Sequence, residues 1–247
     1  MDAVIIAAGY GSRLARLSPS KPLTPVRGVP LIEIGVRQCL AAGITRVVVV
    51  TGHQADLVEP FLHDCALRIG MPVESVRVDD WSCPNGWSVM AGAAACSGPF
   101  LLMMADHMFD AAILARLAGE NGLDRDVTLA IDRRIDNPLV DPDDATWVRT
   151  DDHGRIIAIG KTIPEFNAVD CGAFLATPAL ADAIGAAIAA GKPGSLSDGM
   201  QHLADLGRAA TMEIGGAWWM DVDDPHAHAL AEAEAPLRIP GAFAAIG

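Results

Sequence analysis

The chain reads Val4-Ile5-Ile6-Ala7-Ala8-Gly9-Tyr10-Gly11-Ser12-Arg13-Leu14 near its start, and Ser20-Lys21-Pro22-Leu23 follows. An apolar run thus ends in small residues, two glycines, an arginine and then a lysine. Glycine has no Cβ, so the main chain can approach a polyanion closely and its N–H groups can cradle phosphates. Arg13 and Lys21 add fixed positive charge. A Walker A loop does not fit, because it needs Gly-x-x-x-x-Gly-Lys-Ser/Thr. A dinucleotide fingerprint is incomplete, since its third glycine would fall on Leu14.

Phosphate chemistry on a polyphosphate also needs neutralising charge. Mg²⁺ supplies it when one or two carboxylates hold the ion and waters and substrate oxygens complete the octahedron. Asp106 ends the apolar run Phe100–Ala105, where an unpartnered carboxylate is poor core material. Asp221 and Asp223 follow Trp218-Trp219-Met220, and strand alternation puts both on one face. An N-cap for the following helix competes for Asp223 or Asp224, because Pro225 suits a first helical position. The groups Asp79-Asp80, Asp141–Asp144 and Asp151-Asp152 read as solvated turns. His226 and His228 read as helix-surface residues. Trp81, Trp218 and Trp219 read as packing residues, with only Trp87 placed where a base could stack.

These groups need a scaffold. The 247 residues suffice for one large α/β domain with a substantial core. A net charge of −13 argues against nucleic acid or an anionic membrane as a bulk partner. Five scattered cysteines, Cys39, Cys65, Cys83, Cys96 and Cys171, without a Cys-x-x-Cys, fit reduced thiols and a cytoplasmic setting. No signal peptide precedes the first strand, and no apolar stretch reaches the ~18 residues a membrane span needs.

Continuous apolar runs predict strands at Ala3–Ala8, Arg46–Thr51, Val73–Val78, Phe100–Ala105 and Val127–Ile131. Helical spacing predicts helices at Leu31–Ala42, Gln54–Leu67, Trp87–Ala95 and Ala111–Gly119. This alternation implies βαβ units and a mostly parallel sheet, with ligands at the carboxyl ends of the strands. The second half reads differently. Shorter strands fall at Thr146–Thr150, Arg155–Ile159 and Val169–Leu175, and helices at Pro178–Ala190 and Leu196–Leu206. A strand pair, Ala210–Ile214 and Trp218–Asp221, leads to a last helix from Pro225. The expectation is one domain over 1–247. Residues 1–132 form a nucleotide-binding half, 133–235 an acceptor-binding and metal-completing half, and 236–247 an apolar tail. That tail docks on the body or meets a second copy in a homodimer.

In order, the loop motifs, Asp79–Ser88 with its Asn85-Gly86-Trp87-Ser88 core, Met104–His107, Ile131–Arg133, Gly160-Lys161, Asp170-Cys171-Gly172 and Trp219–Pro225 resemble the inositol-1-phosphate cytidylyltransferases. These belong to the sugar-phosphate and choline-phosphate nucleotidyltransferase superfamily. The resemblance runs from Ala3 to about Ala231. It departs from the family's pattern at Ala105, Cys171 and Asp224, and the loop from Arg13 to Lys21 is longer.

The resemblance implies a Rossmann-like nucleotidyltransferase fold, a mostly parallel central sheet with a smaller antiparallel acceptor region. It implies Mg²⁺ at Asp106, Asp221 and Asp223. Ala7, Ala8, Gly9, Gly11, Ser12, Arg13 and Lys21 would bind the nucleotide, together with Asn85, Gly86, Ser88 and Asp106. Arg133, Lys161, Asp170 and Gly172 would bind the acceptor. Several relatives carry a fused membrane-embedded domain, whereas this sequence has none and would hand over a soluble product.

The expected reaction joins CTP to a small phosphomonoester, inositol 1-phosphate first, and releases pyrophosphate. The acceptor phosphate is itself a competent nucleophile, so Arg13, Lys21 and Lys161 would act by positioning and charge. Asp132, Asp136, Asn137 and Asp170 offer partners for a polyol. Phosphocholine, an aminoalkylphosphonate, or a sugar 1-phosphate with another NTP are alternatives within the class. A non-catalytic nucleotide sensor is the alternative outside it.

Overall fold

The computed structural model describes residues 1–120 and 125–245, so the last two residues of the tail lie outside the described residues. Along the chain come β1 (Asp2–Ala7), β2 (Pro25–Val26), β3 (Val29–Pro30), α1 (Leu31–Ala41), β4 (Arg46–Thr51), α2 (Ala55–Ile69), β5 (Val73–Arg77), α3 (Asn85–Ala94), β6 (Phe100–Met104), β7 (His107–Phe109) and α4 (Ala111–Gly119). There follow β8 (Val127–Asp132), β9 (Trp147–Thr150), β10 (Ile156–Gly160), β11 (Ala168–Ala176), α5 (Ala179–Ala189), α6 (Leu196–Asp205), β12 (Ala209–Glu213), β13 (Trp219–Asp221) and α7 (Pro225–Arg238).

The main sheet has the order β10-β9-β11-β6-β1-β4-β5, with β8 also on β11 and β12 on β8. Strands β6, β1, β4 and β5 are parallel. Strand β11 runs antiparallel to β6, β8 and β9, so it reverses the sheet where the strands of the second half begin. The result is an α/β fold with a mostly parallel, mixed central sheet. Successive residues of β1 serve opposite faces, as a pleated strand requires. Ala3, Ile5 and Ala7 pack with α1, α2 and α4. Val4 and Ile6 pack with α3, α5 and α6.

The expected pairing of Ala210–Ile214 with Trp218–Asp221 does not occur. β12 extends the main sheet in parallel beside β8, whereas β13 pairs antiparallel with β7. Two consecutive strands therefore serve two sheets, and Asp221 lies opposite His107 in the smaller one. A third apolar cluster joins Leu14, Met108, Trp218, Met220, Val222 and the α7 residues Ala231 and Ala235. Leu14 is fully buried there, which anchors the glycine loop by a side chain.

The tail docks on the body. Arg37 of α1 donates to the carbonyls of Ala242 and Ala244 at 3.0 and 2.8 Å. Among the described residues no helix is long and apolar enough to cross a membrane.

Candidate functional site

The carboxyl ends of β1 and β6 are adjacent, and Ala105 N–H donates to Ile6 O at 3.0 Å. This brings the glycine loop against Asp106. Gly11 has φ +60°, a left-handed conformation that favours glycine. A Cβ there would also overlap the Lys21 side chain, so Gly11 makes the room in which Lys21 lies. The Lys21 ammonium then donates to both Asp106 and Asp223. The loop's lysine thereby ties the end of β6 to the segment after β13.

Charge in this bridge is strongly displaced from solution behaviour. Burial acts against the Lys21 ammonium, but Asp106 and Asp223 outweigh it and hold it well above the usual lysine range. Burial likewise opposes the Asp106 carboxylate, and Lys21 and then His107 outweigh it and hold it well below the usual range. Burial, then the neighbouring Asp106 charge, pushes Asp223 up to about 6 against the pull of Lys21. His107 Nδ1 donates to Asp106 Oδ1 at 2.6 Å. Burial pulls that imidazole down, yet the Asp106 charge prevails and lifts it to about 9. Its ring lies nearly parallel to those of Trp219 and Phe109, at 6.2 and 6.1 Å.

Helix capping falls to Asp224, whose Oδ1 accepts from Ala227 N–H at 2.8 Å. That leaves Asp223 free to turn to Lys21. Asp221 is not a partner of the ammonium. Among the described residues no group of three or more His, Cys, Asp or Glu side chains is arranged to hold a metal ion. The described residues thus form no all-protein cage. It does present two carboxylates already bridged by one cation. Two carboxylates completed by substrate oxygens are the donor set Mg²⁺ takes, so Asp106 and Asp223 fit that ion.

Two cavities meet at this bridge. One, of about 200 Å³, is lined by Ala7, Ala8, Gly9, Gly11, Lys21, Asn85, Ser88 and Asp106. The other, of about 240 Å³, is lined by His107, Asp144, Lys161, Asp170, Gly172, Asp221 and Asp223. Asn85 and Met104 border both. Two compartments flanking one charge bridge can hold two phosphorylated molecules with their anionic ends together.

The acceptor-side floor is a kink in β11. Its register against β8 shifts between Asp170 and Phe174, and Gly172 has φ +74°. A Cβ on Gly172 would run into the His107 ring, so the glycine permits that contact. Asp170 Oδ1 accepts from Gly172 N–H at 2.7 Å, and burial pushes this carboxyl up to about 6.

Other expected site residues lie elsewhere. Arg133 turns away from both cavities. Its guanidinium meets Glu213 at 2.9 Å and Thr150 Oγ1 at 2.9 Å, because β12 beside β8 supplies the carboxylate. Gly86 packs against the Gly194 carbonyl, where any Cβ would overlap it, and lines neither cavity. Ser12 also lines neither. Arg13 points past the nucleotide cavity to Asp144, Nη2 to Oδ2 at 2.6 Å. Asp132 is fully buried and held by Arg134, Trp219 Nε1 and Asn137, so Asp132 and Asn137 are structural partners rather than hydroxyl ligands.

Two residues enter that sequence reasoning missed. Asp144, read as part of a solvated turn, pairs with both Arg13 and Lys161. Burial opposes its charge, but the bonds from Lys161 and Arg13 outweigh it and hold the carboxyl below the usual range. Trp81 lines the nucleotide cavity and stacks on Tyr10 at 6.0 Å, with His53 edge-on to both. Trp87 instead sits with its indole nitrogen by Gly194, away from the cavity. The place of Trp81 inside the Asp79–Ser88 motif was the available signal. Asp144 had none beyond its acidic neighbours.

The MobA-like NTP transferase domain model matches residues 3–160. The bifunctional IPC transferase and DIPP synthase of Rubrobacter xylanophilus is 34% identical over 235 residues, 94% of this chain and 51% of that protein. The protein of the same name from Archaeoglobus fulgidus is 29% identical over 227 residues, 90% of this chain and 41% of that one. The chain thus spans about half the length of the curated relatives it matches. In fold, it superposes on the inositol-1-phosphate CTP transferase from T. maritima with a TM-score of 0.82 at 23% identity, covering 95% of this chain and 96% of that one.

Proposed function

Because the chain belongs to the MobA-like NTP transferase domain family, we propose that it is a Mg²⁺-dependent cytidylyltransferase joining CTP to inositol 1-phosphate. The products are a CDP-alcohol and pyrophosphate. The observation that carries this reading is the Lys21 bridge between Asp106 and Asp223, set where the cavity of the glycine loop meets a polar second cavity. The name of the T. maritima protein, an inositol-1-phosphate CTP transferase, and the IPC transferase names of the longer relatives support the choice of inositol phosphate and CTP.

The nucleotide occupies the cavity of the glycine loop, with Asn85, Ser88 and Trp81 around base and ribose. Lys21 moves its charge from the carboxylates to the triphosphate. Asp106 and Asp223 would hold the Mg²⁺, which when bound neutralises charge on the phosphates. Lys161 draws the acceptor phosphate toward the α-phosphorus, while Asp170 accepts hydrogen bonds from the polyol hydroxyls. The acceptor's own phosphate oxygen is the nucleophile, so no side chain need remove a proton. Positioning and fixed charge lower the barrier. His107 keeps Asp106 ionised and oriented.

Incubation with Mg²⁺, each NTP in turn, and a panel of phosphomonoesters and phosphonates tests this. Pyrophosphate release should be fastest with CTP and inositol 1-phosphate, and mass spectrometry should find the CDP-alcohol. Nucleotide binding without release from any pair would instead make the chain a sensor.

A further inference from the structure

Arg13 and Lys161 come from opposite halves of the chain, yet both direct their charge to one carboxylate. Arg13 Nη2 lies 2.6 Å from Asp144 Oδ2, and Lys161 Nζ pairs with Asp144 Oδ1. The two cations are 51% and 58% exposed, against 22% for Asp144. Ion pairs this open to water are held weakly. The backbone that carries the carboxylate is tethered. Asp144 N–H and Ala145 N–H both donate to Asp141 O, at 3.2 and 2.9 Å, and Asp143 N–H donates to Asp141 Oδ1 at 3.0 Å. An anion carried on a hydrogen-bonded turn therefore sits between two exposed cations, on the wall of the acceptor-side cavity.

We propose that Asp144 is a resident counter-anion: in the free protein its carboxylate fills the phosphate position between Arg13 and Lys161, and the acceptor's phosphate displaces it on binding. This rests on reading those two cations as phosphate ligands. A phosphate dianion brings a second charge and a third acceptor oxygen, so it can win both cations from a carboxylate. A monoanion of carboxylate strength cannot. Asp144 thereby raises the threshold for entry and selects dianionic phosphomonoesters over weaker anions. A permanent buttress, the opposite role, would keep its salt bridges with substrate bound and would assist binding.

The two roles predict opposite signs. Inorganic phosphate and inorganic pyrophosphate are each titrated by calorimetry into the full chain, D144N and K161A at fixed ionic strength. D144N should bind phosphate about 3- to 10-fold more tightly than wild type, the range expected from losing one or two exposed pairs, and K161A more weakly. The KM for the acceptor should fall by a similar factor in D144N. D144S removes the same charge and must repeat the gain, so misfolding of one variant does not decide the result. Equal or weaker phosphate binding by the charge-removing variants would overturn the proposal, as would K161A binding as well as wild type. Failure here is separable from failure of the functional reading, which stands or falls on pyrophosphate release by the wild-type chain.

Discussion

Lys21 donates to Asp223 across 202 positions of sequence, and the same ammonium reaches Asp106. One lysine thus joins the first loop of the chain to the segment after β13. Its side chain is 14% exposed, against 20% for Asp106 and 26% for Asp223. Removing it leaves two half-buried carboxylates facing each other with no cation between them.

K21A should therefore fail in two ways. Turnover should drop by about 10²- to 10³-fold, as when a charge-stabilising donor is removed. Stability should fall by about 3 kcal/mol, the lower end for breaking a buried pair. Added Mg²⁺ should restore part of the lost melting temperature in K21A, because a divalent ion can take the place of the ammonium between the carboxylates. Thermal melts with and without Mg²⁺ read this directly, and no metal-dependent recovery would argue against Asp106 and Asp223 as ligands.

Asp170 sets a pH signature. Its folded pKa of about 6 lies above its ordinary value of 3.8 because burial penalises the charge. A carboxyl raised in this way costs stability once the unfolded chain can ionise it, so the cost is absent well below pH 3.8, grows between 3.8 and about 6, and is complete above that. D170N should match wild type in stability near pH 3 and exceed it at pH 8 by about 2 to 3 kcal/mol, as thermal melts at the two pH values read. In kinetics the same variant should raise the KM for the polyol phosphate more than it lowers kcat. A melting difference that does not change with pH would contradict the first expectation.

G172A puts a Cβ at φ +74° and against the His107 ring. The backbone strain alone costs about 1 to 3 kcal/mol. The displaced imidazole would release Asp106, so turnover should fall together with stability. In NMR the His107 ring should lose its hydrogen bond to Asp106. An unchanged His107 resonance in a folded G172A would show that the ring has room to spare.

Trp81 and Trp87 are a matched pair for the base site, at 40% and 42% exposed. Only Trp81 lines the nucleotide cavity. W81A should weaken CTP binding by about 10-fold, in the range of a lost base–aromatic stack, while W87A should leave it unchanged. CTP should also quench tryptophan fluorescence in wild type and W87A but not in W81A. Equal quenching in all three would place the base elsewhere.

Much of the fold was legible because it is local. The run Arg46–Thr51 and the helix Ala111–Gly119 match their expected bounds, since continuous β-branched residues and an amphipathic helical repeat each carry their own period. The glycine loop itself was legible for the same reason: its conformational freedom and its charges lie within a few residues. The partners of β12 and β13 were not legible, because pairing depends on sheet order and two adjacent strands entered different sheets.

Sequence alone thus determined that this chain is a mostly parallel-sheet α/β protein with a glycine loop, basic residues and well-spaced carboxylates. Tertiary structure decided which of those charges meet. It gave Arg133 to Glu213, turned Arg13 onto Asp144, put Trp81 rather than Trp87 at the nucleotide cavity, and spent Asp224 on a cap so that Asp223 could reach Lys21. Side-chain type and spacing are properties of neighbouring residues, whereas the distance between two charges is set by crossovers, strand reversals and kinks contributed by other parts of the chain.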